Sequence, residues 1–155
     1  MSSLFAEHLR RRILCLDGAM GTSTHALDLD LERDYLGQEN CTEILVRTRP
    51  DAIQQIHESF LAVGADGVET DTFGANPLVL AEFEGLAGDA RALNRQAAEI
   101  ARAACDIHST ADKPRFVIGS IGPGTKLITL GHVDWDTLHA SYLEQVRGLL
   151  EGGAD

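Results

Sequence analysis

The chain has 155 residues, 44% of them apolar and 24% charged, which suits one soluble domain with one core. Its formal net charge of -11 argues against a nucleic-acid or anionic-membrane partner. The three cysteines are widely spaced and form no CxxC pair, and no apolar run is long enough to cross a bilayer, so the expectation is a cytoplasmic protein in a reducing compartment.

Residues 3–12 read as a short helix capped by Ser2 or Ser3, with Leu4, Phe5 and Leu9 on one side. Residues 13–16 (Ile, Leu, Cys, Leu) read as a buried strand, which places Cys15 in the core. The strand breaks at once into Asp17-Gly18 and Gly21-Thr22. A carboxylate and glycines just past a buried strand point to backbone approaching a ligand, because ligands of α/β folds sit at the carboxyl ends of strands. Residues 24–40 are polar and irregular, with a helical turn around 31–36, and an excursion of that length is usually functional.

Residues 50–63 carry a clear helix pattern. Pro50 suits its first turn, Ile53, Ile56 or His57, Phe60 and Val63 mark its apolar face, and Gly64 supplies the stop. A second strand begins at 68–70 and runs into Glu69, Thr70, Asp71, Thr72 and Asn76, the most polar strand end in the chain. Residues 77–83 suggest a short helix and 89–108 a long one, with Leu93, Ala97, Ile100, Ala104 and Ile107 at helical spacing. A third strand at 116–118 opens into the glycine-rich 119–124, which contains Ser120. The last helix is capped by Asp134 or Asp136 and shows a face of Leu138, Tyr142, Val146 and Leu149.

Strands alternating with helices, and glycine-rich loops after the strands, give an α/β class built of parallel (β/α) units. The 62–66 junction AVGAD leads into a strand, and the chain stops after a similar junction, GGAD at 152–155. The expectation is therefore the first part of a TIM-type (β/α)8 barrel, truncated at the fourth strand. A small complete flavodoxin-like domain is the alternative, but the long excursions leave no room for its roughly five strands.

If the units are adjacent, three strand ends converge: Asp17-Gly18, Glu69 to Asn76, and the loop of Ser120. They offer carboxylates to an ammonium, and N–H groups and hydroxyls to a carboxylate, a pairing that suits an amino-acid-like ligand. The bland alternative is that Glu69 and Asp71 only tie loops together. Phosphate binding fits poorly, because the 119–124 loop lacks the Gly-Lys-Ser/Thr ending and Pro123 removes an N–H. The six histidines show no metal-ligand spacing; His57 and His108 are expected to face solvent, while His25 and His132 lie in loops.

The segments LCLDGAMGT (14–22), ENCTEILVRTRPD (39–51), GADGVETDTFGAN (64–76), LNRQAAEIAR (from Leu93) and GSIGP (119–123) together resemble the homocysteine S-methyltransferase domain family, in order and over essentially the whole chain. The asparagine-cysteine stretch and GSIGP are most similar to its cobalamin-dependent branch. The resemblance implies homocysteine as substrate, held at the mouth of a (β/α)8 barrel with its thiolate on zinc. Its methyl donor is methylcobalamin, recharged by 5-methyltetrahydrofolate, with the rest of the barrel and folate and cobalamin modules as partners. By resemblance, Asp17, Gly18 and Thr70 contact the amino-acid part of homocysteine, and Glu69, Thr72 and Asn76 shape the rim.

Two departures matter. Asp71 stands where that branch usually has asparagine, which adds a carboxylate. The family's zinc cysteines have no match in Cys15, Cys41 or Cys105, so no metal ligand is assigned and neither zinc nor cobalamin is expected to bind this chain tightly. The expected activity of the isolated chain is nil. Two alternatives stay open: a non-catalytic small-molecule-binding fragment, and half of a split methyltransferase using another methyl donor.

Overall fold

The computed structural model describes residues 3–155. Among them the order is α1 (Leu4–Arg11), α2 (Met20–His25), α3 (Leu45–Thr48), α4 (Pro50–Ala62), β1 (Gly67–Glu69), α5 (Pro77–Leu80), α6 (Ala90–His108), β2 (Phe116–Ile118) and α7 (Trp135–Glu151). Ser3 caps α1 by accepting the Ala6 N–H, and the other candidate, Ser2, lies outside the described residues. Asp134 caps α7 by accepting the Thr137 N–H at 2.7 Å.

The sheet corrects the sequence expectation. It is a two-stranded, open, parallel sheet in an α/β fold, not part of a (β/α)8 barrel cut at a fourth strand. Gly67 pairs with Phe116, Val68 with Val117 and Glu69 with Ile118. The predicted strand at 13–16 contributes only one parallel bridge, Leu16 to Gly67. It lies at an edge with nothing among the described residues packed outside it, so Ile13 is 92% exposed and Cys15 is exposed, not buried. Apolar sequence alone cannot show whether a strand has a neighbour on its outer side. The chain end, expected at the threshold of another strand, only meets β2 through the Asp155 N–H on the Val117 carbonyl and the Val117 N–H on the Asp155 carboxylate, each at 2.9 Å.

Side chains alternate across the sheet. Val68 and Val117 point into a core shared with Leu61 of α4, Ala98, Ala101, Ala104 and Cys105 of α6, and Leu149 of α7. On the other face, Phe116 is covered by α1, whose Phe5 ring meets it edge-on at 5.2 Å. A second core joins Cys41, Ile44, Leu80, Leu86, Ala90 and Leu93 beneath Tyr35 and Phe83.

Helix faces depart from the apolar periodicity in two places. Helix α7 buries Ser141, Gln145, Gly148 and Leu149; of the predicted face only Leu149 is buried, while Leu138, Tyr142 and Val146 are half-buried. It packs against the alanine-rich α6 so closely that a Cβ on Gly148 or Gly152 would collide with the carbonyl oxygens of Arg91 and Arg95. Small and polar residues therefore make the contact, with Gln145 donating to the Thr72 carbonyl at 2.7 Å. In α4, Val63 just beyond the helix is 85% exposed, while His57, read from sequence both as an alternative to Ile56 on the apolar face and as a solvent-facing histidine, is fully buried beside Ile53, Ile56 and Leu61.

Candidate functional site

The carboxyl ends of β1 and β2 and the chain leaving residue 16 enclose a cavity of about 170 Å³. This is where an open parallel α/β sheet places a ligand. The volume is below the roughly 300–1,000 Å³ of sites for drug-sized molecules, so it suits a small metabolite. Six of the eight residues singled out from sequence line it: Asp17, Gly18, Glu69, Thr70, Asp71 and Ser120. Ala19, Met20 and Phe73 complete the wall. Ala19 has a left-handed backbone, φ 58°, where the chain turns from Gly18 into α2. An L-residue held there stores about 1 kcal/mol or more, the kind of strain that collects at ligand sites.

The two remaining candidates do not line this cavity and bond within the fold. Asn76 caps α5 by accepting the N–H groups of Leu78 and Val79, each at 3.1 Å, and also accepts the Ser141 hydroxyl. Thr72 is fully buried and donates its hydroxyl to the Ser120 carbonyl at 2.8 Å. That fixes the neighbouring bond. The Thr72 proton is used, so the 2.6 Å contact between the Thr70 and Thr72 hydroxyls has Thr70 as donor. Thr70 also accepts the Ser120 N–H at 3.0 Å. Its hydroxyl proton is thus engaged in tying the two strand ends together, and what it can still offer a ligand is a lone pair.

Three carboxylates face this small space in different conditions. Asp17 is half-buried with its side chain turned inward, and Oδ1 accepts the Glu69 N–H at 2.7 Å. Its Oδ2 lies 3.7 Å from Nδ1 of His57, and the two side chains are 3% and 0% exposed. Glu69 is exposed and accepts the Ser120 hydroxyl at 3.3 Å. Asp71 is 5% exposed, with Oδ1 accepting the Thr42 hydroxyl at 3.0 Å and Oδ2 lacking a partner. Burial pushes the Asp71 carboxyl up to about 7, and the nearby Glu43 adds to the rise against the Thr42 hydrogen bond. Glu43 is committed elsewhere, accepting the Gly74 N–H at 2.6 Å. Near neutral pH, Asp71 is divided between an O–H donor and a carboxylate, whereas no Lys or Arg lines the cavity. The site offers anionic acceptors for an ammonium, and for a carboxylate it offers protonated Asp71 and the Ser120 hydroxyl, whose one proton becomes available by exchanging the long 3.3 Å bond to Glu69 for a bond to the ligand.

His57, an option for the apolar face of α4 in the sequence, was not named there as a neighbour of the site. The signal was its spacing: Ile53, His57 and Leu61 sit four residues apart on α4, and all three are buried. A larger, more open groove of about 400 Å³ lies along the 24–42 excursion and includes His25, Tyr35 and Glu39. It contains none of the predicted site residues.

The cysteines and histidines gather into no metal site: among the described residues no group of three or more His, Cys, Asp or Glu is placed to hold an ion. Burial pushes the thiols of Cys41 and Cys105 up to about 12, which suits core packing and opposes thiolate ligation. Cys105 donates to the Phe116 carbonyl. The donor set therefore does not fit a thiolate zinc site. No helix among the described residues is long and apolar enough to cross a membrane.

Residues 14–155 match the homocysteine S-methyltransferase family. The chain is 45% identical over 147 residues to the methionine synthase of Mycobacterium tuberculosis, covering 95% of this chain and 12% of that protein. It is 44% identical over 149 residues to the methionine synthase of Mycobacterium leprae, covering 96% of this chain and again 12% of the relative. Among solved structures it resembles the oxidised form of the homocysteine methyltransferase MmuM from Escherichia coli, with a TM-score of 0.73, 26% identity, and coverage of 95% of this chain and 52% of that one. The metallated form of the same enzyme aligns with a TM-score of 0.74 at 23% identity, a likeness of fold.

Proposed function

Because the chain belongs to the homocysteine S-methyltransferase family, we propose that its cavity binds the amino-acid part of homocysteine, as one wall of the substrate site of a methionine-forming methyltransferase. The observation that carries this reading is the convergence of six positions named from sequence on one small, cation-free cavity. Glu69 and Asp17 take the ammonium by charge-assisted hydrogen bonds. Ser120 and protonated Asp71 donate to the carboxylate, and Gly18 leaves room for the ligand beside the backbone. In the whole protein the acceptor would be the homocysteine thiol and the donor methylcobalamin, recharged by 5-methyltetrahydrofolate on other modules. The chain spans 12% of the methionine synthases it matches. Zinc would supply a thiolate near neutral pH in the whole protein. The described residues do not fit that metal, and what they contribute is binding and orientation of the amino-acid end.

A second reading, a small-molecule-binding chain with no chemistry of its own, is favoured by the raised thiols of Cys41 and Cys105 and by the lack of a grouped metal-ligand set among the described residues. One titration tests the shared core of both. L-homocysteine and mercaptobutyrate, which lacks the ammonium, are added to the chain and followed by calorimetry. Homocysteine is expected to bind at least about tenfold more tightly, the equivalent of ~1.4 kcal/mol. Equal affinity, or no binding of homocysteine, overturns the reading. Methyl transfer by the chain alone would reject the non-catalytic version.

A further inference from the structure

Among the described residues, buried polar side chains generally meet at least one partner: Asn94 donates to the carbonyls of Ala75 and Ala90, and Gln145 to that of Thr72. His57 does not. Its ring is fully buried, and neither Nδ1 nor Nε2 makes a hydrogen bond. A buried imidazole left this way carries the penalty of an unmet polar group, so a plain core position would favour leucine or isoleucine, as at Ile53 and Leu61 on the same stripe. The group it faces is Asp17, with Nδ1 3.7 Å from Oδ2.

Asp17 has one oxygen fixed. Its Oδ1 accepts the Glu69 N–H, and its own N–H donates to the Gly67 carbonyl, so the backbone and half of the carboxylate are anchored to β1. Rotation of the carboxylate about that anchor decides whether Oδ2 presents a lone pair to the cavity. A donor behind Oδ2 would hold the plane. We propose that His57 is a positioning residue for Asp17: as the Nδ1–H tautomer it orients the Asp17 carboxylate toward the cavity, and the contact closes to a hydrogen bond when an ammonium occupies the site. A closing of about half an ångström brings 3.7 Å into reach of an N–H···O bond at ~3.2 Å, and such contacts often tighten only when the ligand is bound. The second half of this inference rests on the reading of the cavity as an amino-acid site; the tautomer assignment does not.

Two measurements separate them. In the ligand-free chain, imidazole ¹⁵N shifts of labelled histidine should show His57 protonated on Nδ1, with a signal that moves in Asp17→Asn. A ring protonated on Nε2 and indifferent to Asp17→Asn overturns the proposal whether or not any ligand binds. The binding arm compares His57→Asn, whose amide places a donor where Nδ1 stood, with His57→Leu, which fills the space without a donor. His57→Leu should bind L-homocysteine about tenfold more weakly, while His57→Asn stays within about threefold of the unsubstituted chain. A folded His57→Leu chain binding at full strength overturns the proposal. If His57→Leu fails to fold, His57→Asn and the ¹⁵N spectra decide. If the unsubstituted chain does not bind homocysteine, the cavity reading fails and the tautomer still tests His57.

Discussion

Asp66 and Asp71 stand five residues apart, just before β1 and just after it, and the protein treats them in opposite ways. Asp66 is saturated. Arg12 donates to both of its oxygens at 2.8 Å, and the Cys15 N–H adds a third bond at 2.9 Å. The Arg12 guanidinium holds its carboxyl down near about 2, against a smaller opposing effect of burial. Asp71 has one hydroxyl donor, an oxygen without a partner, and burial that pushes it up to about 7. The amino end of the sheet spends its charges on structure. The carboxyl end keeps charges incompletely met, which is the condition for meeting a ligand.

The largest expected effect breaks the saturated end. Asp66→Ala removes three hydrogen bonds and leaves the Cys15 N–H unmet. It should cost about 2 kcal/mol in urea unfolding, a figure already reduced for solvent screening at the partly exposed Arg12. The sign with pH follows from the lowered carboxyl. Asp66 contributes fully above its unfolded value of about 3.9, and the contribution fades as pH falls toward about 2. The gap between Asp66→Ala and the unsubstituted chain should therefore narrow in acid. A gap that stays constant with pH would mean that packing, not the ion pair, holds this end.

Asp71 should behave in the reverse sense. Its folded value near 7 lies above the unfolded value of about 3.9, so its protonated form adds stability in acid that is lost as pH rises through about 7. Asp71→Asn keeps a partner for the Thr42 hydroxyl and removes the charge beside Glu43. It should match the unsubstituted chain only below about pH 4, where Asp71 is protonated folded and unfolded alike, gain on it steadily as pH rises toward about 7, and exceed it by at least about 1 kcal/mol near pH 8, read from thermal or urea unfolding across pH. A variant less stable than the unsubstituted chain at pH 8 would show that Asp71 is ionised and well solvated, and the contrast with Asp66 would disappear.

This contrast was only half legible in the sequence. The polar run from Glu69 to Asn76 and the break after Leu16 both depart from strand composition, so the polar part of the cavity wall could be named from sequence, while its apolar members Ala19, Met20 and Phe73 could not. Thr72 and Asn76 carry the same signal, yet they turn inward to Ser120 and to α5, because composition does not say which side of a strand end faces the ligand. His57 was hidden by the opposite problem: a polar residue on an apolar stripe reads as an exposed edge of the helix unless its four-residue spacing to Ile53 and Leu61 is weighed. The strand at 13–16 looked buried because four apolar residues look alike at the centre and at the edge of a sheet. Neither Arg12 as the partner of Asp66 nor the two-strand extent of the sheet has a local signature, since both depend on contacts more than 45 residues apart.

The smallest effect is the most discriminating. Ser120 meets the rest of the site in two ways. Its backbone is structural, with the N–H on Thr70 and the carbonyl taking the Thr72 hydroxyl, whereas its side chain donates a hydrogen bond to the Glu69 carboxylate, at 3.3 Å in an exposed setting. Ser120→Ala leaves both backbone bonds intact, so stability should change by no more than about 0.5 kcal/mol. The hydroxyl is also one of the few donors available to a ligand carboxylate, and its loss should weaken L-homocysteine by about threefold, near 0.65 kcal/mol. Affinity lost without stability would mark the side chains of the carboxyl end as held for a ligand. Stability lost in step with affinity would mean that the Ser120–Glu69 contact is itself a strut. The two ends of β1 would then differ in how many bonds each carboxylate makes, but not in what those bonds are for.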